Sequence, residues 1–221
     1  MAEDILFCWS GGKDSAMALH ALQSEREYRV TGLLTTITEI YDRVSMHGVR
    51  RVLLERQAAS IGLPLHVVPI PPQCVNATYE LRMKEALTEH LAAGVKNVAF
   101  GDIFLEDLRV YRERNLDLLN MKGVFPIWMC DTRELADEFL HLGFKAIAVC
   151  IDPRVLDPSF AGRMLDESFF ADLPPGVDPC GENGEFHSFV FDGPVFRTPV
   201  RFVSGEKVLR EGFWFCDLLP V

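Results

Sequence analysis

The stretch Cys8-Trp9-Ser10-Gly11-Gly12-Lys13-Asp14-Ser15 most constrains what this chain can fold into. Ahead of it, Asp4-Ile5-Leu6-Phe7-Cys8 is a short apolar run with the character of a buried strand. Behind it, Ala16, Ala18, Leu19 and Leu22 recur at helical spacing. The pattern is strand, glycine turn, helix. Two adjacent glycines let the backbone approach a ligand closely. The free N–H groups opening the helix, with its dipole, favour an anion there. Lys13 adds a point charge, and Ser10 and Ser15 add hydroxyls. The product is a phosphate cradle. It is not a Walker A loop, which needs Gly six positions before the Lys and Ser or Thr directly after it. Phe7 and Asp14 occupy those positions.

The order Ser-Gly-Gly-Lys-Asp-Ser resembles the PP-loop of the N-type ATP pyrophosphatases. That resemblance implies cleavage of ATP between its α- and β-phosphates and adenylation of a substrate oxygen. It also implies ATP contacts at Ser10, Gly11, Gly12, Lys13, Asp14 and Ser15, with Asp14 holding Mg²⁺ or orienting the loop.

Strand-like runs at 30–38, 65–70, 95–100, 124–128 and 146–151 alternate with helical patterns at 49–61, 76–91, 105–119 and 131–142. Alternation of this kind predicts a parallel sheet covered on both faces. The expected class is therefore α/β: a HUP/Rossmann-like PP-loop domain over 1–151, then a smaller α+β domain over 152–221. In the second part, a helix is expected from Asp157 to about Phe170. Alternating strands follow from Glu185, divided by turns at Asp192-Gly193-Pro194 and Ser204-Gly205. Ligands of parallel sheets bind at the carboxyl ends of the strands. Gly101-Asp102 ends the fourth strand, so it is expected to share a pocket with Ser10. His90 falls on an apolar stripe and reads as a core residue.

Length bounds the chain to one large domain or one and a half, since it has 221 residues. Net charge is −10, which argues against a broad nucleic-acid footprint. The opening Met1-Ala2-Glu3-Asp4 lacks the basic segment of a secretory signal, and no run is apolar enough to span a membrane. Six scattered cysteines without a Cys-x-x-Cys suggest a reducing, cytoplasmic setting and no zinc knuckle. Cys8, Cys150 and Cys216 sit in apolar runs. Cys180 alone sits in a polar motif.

That motif is Asp178-Pro179-Cys180-Gly181-Glu182-Asn183-Gly184-Glu185-Phe186-His187-Ser188. A solvated acidic turn would explain the carboxylates but would not need His187. Glu182 and Glu185 suit an amine or ammonium, or Mg²⁺ held through water. His187 suits proton exchange near neutral pH. Together with the PP-loop, Gly101-Asp102, Pro126-Ile127-Trp128 and Asp192-Gly193-Pro194-Val195-Phe196, this motif resembles the diphthine–ammonia ligase family along nearly the whole chain.

The family motif usually reads Gly-Glu-Gly-Gly-Glu; here Asn183 replaces the middle glycine. After Gly101-Asp102 the sequence Ile-Phe-Leu-Glu-Asp-Leu-Arg also departs from the family's Tyr-Gln pattern. The resemblance implies an AMP- and pyrophosphate-forming ligase that amidates a carboxylate, small or protein-borne, with ammonia. It places ATP at Ser10–Ser15 and the acceptor side at Glu182, Glu185 and His187; Gly101 and Asp102, at their strand end, are expected to complete the MgATP pocket. Asp102, Asp107 and Arg109 are further candidates at the rim, and His47 a candidate beside the nucleotide. Phe213, Trp214 and Phe215 suggest a homodimer surface or core. The alternatives are a PP-loop RNA-modifying enzyme, or an ATP-binding regulatory module without turnover.

Overall fold

The computed structural model describes residues 2–45 and 47–221. Met46, in the loop read with His47 and Gly48, lies outside the described residues.

Strand β1 (Glu3–Cys8) is the spine, and Ile5, Leu6 and Phe7 are fully buried. Three successive buried side chains require cover on both faces of the sheet. β1 runs parallel between β2 (Tyr28–Thr38) and β5 (Asn97–Ala99). β4 (Leu65–Ile70) adds parallel outside β2, and β6 (Lys122–Val124) parallel outside β5. A short β3 (Arg43–Val44) pairs antiparallel with Ile37 and Thr38, past the point where β1 ends.

The helices are α1 (Lys13–Ser24), α2 (Arg51–Ile61), α3 (Asn76–Ala92), α4 (Glu106–Asp117) and α5 (Thr132–His141). Leu6 faces a core with Leu87, Val98 and Leu116, beneath α3 and α4. Ile5 and Phe7 face a larger core with Leu19, Leu53 and Phe139 of α1, α2 and α5.

That larger core continues into a second, antiparallel sheet of order β8-β7-β10-β9. Its strands are β7 (Lys145–Ile151), β8 (Phe186–Asp192), β9 (Phe202–Arg210) and β10 (Phe213–Pro220). The α/β class with a smaller second unit is as expected. The run 146–151 was expected as a sixth parallel strand, yet it pairs antiparallel with β8 and β10. Its unbroken apolar run fits the centre of either sheet, so pattern alone does not assign it. The change of sheet thus falls between Val124 and Lys145, ahead of the expected boundary at Ile151.

Two other elements are shorter than expected. The fifth strand stops at Val124, and Phe125 to Trp128 turn instead, with the Trp128 N–H on the Phe125 carbonyl. Pro126 has no N–H for a sheet ladder. The expected helix from Asp157 to Phe170 is only a 3₁₀ turn at Pro158–Phe160 and a short α6 (Glu167–Ala171). Between them, Leu165 donates to Ala146 O and Met164 bridges to Ile147, so the segment clings to β7. At α5, Asp131 caps as expected, accepting from the N–H groups of Arg133 and Glu134.

Candidate active site

The loop between β1 and α1 folds as a nest. Gly11 has φ +81°, a conformation other residues adopt only at a cost. Gln57 enforces it from α2. Its amide donates to the carbonyls of Gly11 and Val190 at 3.0 and 2.6 Å and accepts from the Trp9 indole at 2.9 Å. Ser10 Oγ accepts from Gly12 N at 3.2 Å and contacts Ser15 Oγ at 3.1 Å. The Ser15 N–H keeps no protein acceptor among the described residues, and the Asp14 N–H turns only to its own carboxylate. They point where an anion is favoured.

The far motif meets this nest directly. Lys13 N donates to Ser188 Oγ at 3.0 Å, and Val190 N donates to Gly11 O at 2.9 Å. A side chain from β8 therefore caps the start of the helix that follows this loop. His187, next to that serine, stacks on His47, with ring centroids 4.5 Å apart. A Cβ on Gly12 would lie 3.1 Å from His47 Cε1, so the imidazole pair sits against the loop. On the other flank a Cβ on Gly101 would lie 2.9 Å from Ser15 N and 3.0 Å from Asp14 C. Backbone meets backbone there, which only glycine permits. Ser10, Gly12, Lys13, Asp14, Ser15, His47, Gly101, Asp102, Asp107, Glu182 and His187 all line one open cavity of about 1680 Å³. Phe213 and Phe215 line it too.

The charges are arranged in pairs. Lys13 is buried and contacts the Asp14 carboxylate. Burial opposes its charge, but Asp14 and then Cys180 beside it outweigh burial and hold the ammonium above its ordinary pKa. At Asp14 burial prevails over Lys13, and Asp178 adds to it, so that carboxyl is raised. Glu182 accepts from Ile103 N at 2.8 Å. Burial pushes it up to about 7 against that hydrogen bond, and the carboxylates of Asp14 and Asp102 push the same way. It is therefore a carboxyl that gains and loses its proton near neutrality.

Other expected residues take different roles. Glu185 is 7% exposed, and its Oε1 accepts from Asp178 N and Asn183 Nδ2 at 3.1 and 3.0 Å. It shapes the hairpin from within and is not among the residues lining the cavity. His187 was expected to exchange protons near pH 7. Burial instead holds it down to about 4, against the pull of Glu185, and burial holds His47 down to about 3. Both imidazoles are thus neutral at pH 7.

Burial pushes the Cys180 thiol up to about 12, so it stays protonated at neutral pH, and Sγ donates to the Thr132 carbonyl. Arg109 lies between the rings of Phe125 and Trp128, at 4.8 and 4.7 Å, and pairs with Glu113. His90 packs edge-on to His66 at 4.4 Å.

Some residues of this site were not singled out in the sequence. Gln57 sits on the buried stripe of α2 with Leu53 and Leu54 and is fully buried, and a polar residue on such a stripe was the available signal. Arg112 pairs bidentate with Asp102 at 2.6 and 3.0 Å, its guanidinium 4.4 Å over Phe100. Arg43 and Arg50 both reach Asp217, which they hold down to about 2 against burial. No local pattern announces these long-range pairs.

Residues 4–122 match the family model for the diphthamide synthase N-terminal domain, and residues 131–219 that for its C-terminal domain. Among curated proteins, the chain is 29% identical over 129 residues to the diphthine–ammonia ligase of Bos taurus, covering 56% of this chain and 48% of that protein. It is 25% identical over 232 residues to that of Schizosaccharomyces pombe, covering 95% of this chain and 38% of that protein. It is 24% identical over 224 residues to that of Danio rerio, covering 91% and 87%. The matched region thus spans about half the length of the mammalian relative. With both domain models matched in order along it, this chain belongs to the diphthamide synthase family.

Proposed function

We propose that this chain is an ATP-dependent, AMP- and pyrophosphate-forming ligase that converts a carboxylate to its amide with ammonia. One observation carries the reading: the phosphate loop and the carboxylate-bearing hairpin line one cavity, joined by the bond from Lys13 N to Ser188 Oγ. The names of its relatives point the same way, since each is a diphthine–ammonia ligase.

An acceptor carboxylate oxygen attacks the α-phosphorus of ATP. The bond to the β-phosphate oxygen breaks, pyrophosphate leaves, and an acyl adenylate remains. Ammonia then attacks the acyl carbon and AMP departs. The loop N–H groups and the charged Lys13 stabilise the negative charge that develops on the phosphates. Glu182, ionised above about pH 7, takes the proton that the attacking ammonia sheds. Ser188 and Gln57 hold the loop in place, and Glu185 positions the hairpin that carries Glu182.

The donor set fits a nucleotide-borne Mg²⁺ better than a closed metal centre. Among the described residues, no three His, Cys, Asp or Glu converge as metal ligands. Mg²⁺ commonly takes one or two carboxylates plus phosphate oxygens and water. Asp14 is the carboxylate that would hold such an ion here, and the ion would supply charge neutralisation of the phosphates. All six cysteines are free thiols, which supports a reducing, cytoplasmic setting. Among the described residues no helix is long and apolar enough to cross a membrane.

The test is to incubate the pure chain with MgATP, ammonium and a panel of carboxylic acids. AMP and pyrophosphate are expected in step with amide. ADP and phosphate would overturn the reading. A Lys13→Ala variant is expected to lose AMP formation by about 100-fold or more.

A further inference from the structure

Cys180 meets no reacting atom in the adenylation scheme, yet the hairpin fixes where its thiol lies. The side chain is buried and lines the cavity with Lys13. Pro179 before it has a fixed φ. Gly181 after it has φ +69°, and its N–H donates to the Asp178 carbonyl at 2.9 Å. A Cβ on Gly181 would lie 2.8 Å from the Phe186 carbonyl oxygen, so this turn accepts only glycine. The Glu182 N–H closes the same turn onto Asp178 Oδ2 at 2.8 Å. The backbone on both sides of Cys180 is thus pinned, and with it the Cβ from which the thiol projects.

The thiol stands between partners on two different helices. Its Sγ–H donates at 3.3 Å to the carbonyl of Thr132, the first residue of α5. Its sulfur accepts from the ammonium of Lys13, the first residue of α1. A chain of ammonium, thiol and carbonyl therefore runs from the phosphate loop to α5. Lys13 is itself 2% exposed, so its ammonium donors have to be met inside the protein or by a ligand. An ammonium has three donors. Here one meets Asp14 and one meets Cys180, which leaves the third for a ligand.

The two protein partners differ in kind. Asp14 is the chain neighbour of Lys13, so it moves with the loop, and its carboxylate cancels the ammonium's charge. Cys180 is 167 positions away (180 − 13), on the pinned turn. Its thiol is uncharged at neutral pH. A neutral sulfur is a weak acceptor, so it orients the ammonium without cancelling its charge. The cation stays available for the negative charge that builds on a phosphate.

We propose that Cys180 is a positioning residue of the phosphate loop, its sulfur holding the Lys13 ammonium in the direction of the nucleotide phosphates. This rests on the ligase reading above only for the presence of a nucleotide at the loop. The thiol acts through Lys13.

The test is a double-mutant cycle on the full chain, read by calorimetric titration with the magnesium complex of α,β-methylene-ATP. Lys13→Met is expected to weaken the analogue about tenfold or more. Cys180→Ala is expected to weaken it about fivefold when Lys13 is present, and less than about 1.5-fold when combined with Lys13→Met. Cys180→Ser keeps a donor and an acceptor at the same place and is expected to bind within about twofold of the parent. A role in packing alone would make serine and alanine alike and would persist without Lys13.

Equal weakening by Cys180→Ala in both backgrounds overturns the proposal. So does a Cys180→Ala variant that binds like the parent, or a Cys180→Ser variant as weak as Cys180→Ala. A Lys13→Met variant that binds the analogue like the parent overturns it too, since there is then no ammonium to aim. AMP release separates this from the ligase reading. Coupling of the two residues with no AMP from any acid and ammonium sinks the ligase and spares the positioning role. AMP release without coupling sinks the positioning role and spares the ligase.

Discussion

Replacing Glu182 with glutamine should make the protein more stable and nearly inactive, and the two effects share one cause. Glu182 sits among Asp14 and Asp102 with its carboxyl raised from 4.5 to about 7. A proton held that much more tightly in the folded state corresponds to roughly 3 kcal/mol, at about 1.4 kcal/mol per pH unit. The side chain is only half-buried, so solvent screening removes about half, leaving about 1.5 kcal/mol.

The sign follows from linkage. Below about pH 4.5 the folded and unfolded chains both carry the proton, and the carboxyl costs nothing. Between 4.5 and 7 the unfolded chain ionises first, and stability falls as pH rises. Above about 7 the whole penalty is present. Glutamine keeps an oxygen for the Ile103 N–H and turns an amide toward the neighbouring carboxylates.

At pH 8 Glu182→Gln should therefore melt about 3–6 °C higher, at about 2–4 °C per kcal/mol for a chain of this size. At pH 4 it should melt with the parent. AMP formation should drop about 100-fold or more, because the proton acceptor is gone. Calorimetry at the two pH values and a product assay decide it. An equal gain at both pH values, or a loss at pH 8, would refute the electrostatic reasoning.

Three further perturbations test other joints of the site. Ser188→Ala leaves the buried Lys13 N–H without its acceptor and should cost about 1–2 kcal/mol, or about 2–8 °C in melting temperature, with slower turnover. A variant within about 1 °C of the parent would show that the cap across the two sheets is idle. Gly101→Ala places a methyl 2.9 Å from Ser15 N, against backbone that has nowhere to go, and should cut ATP turnover at least about tenfold. Unchanged turnover would show that the loop tolerates displacement.

The neutral imidazoles act on stability from the acid side. His47 and His187, held down to about 3 and 4 from 6.5, contribute stability present above pH 6.5 and lost as pH falls toward 4. Urea titrations of His187→Gln between pH 7 and 4 should show a flatter loss than the parent. An identical slope would contradict the burial of that ring.

Much of this was legible in the sequence because it is local. The Ile5-Leu6-Phe7 run, the glycine pair and the Ala16–Leu22 stripe lie within twenty residues and fix strand, nest and helix in order. Asp131 announced its own cap. What was not legible depends on contacts between distant residues. Nothing within 146–151 says which sheet it joins, because a strand buried on both faces looks alike in either. The hydrogen bonding of Glu185 was not legible for a similar reason. Its carboxylate turns back onto Asp178 and Asn183, a geometry set by the hairpin and invisible in its composition. The neutral state of His187 depends on burial and on the ring of His47, which is 140 positions away (187 − 47).

The most direct test of adenylation at the phosphate loop is exchange of radiolabelled pyrophosphate into ATP without ammonium. The account predicts label in ATP only when an acceptor acid is present, and its disappearance in Lys13→Ala. Exchange that needs ammonium, or that proceeds equally well without any acid, would contradict it.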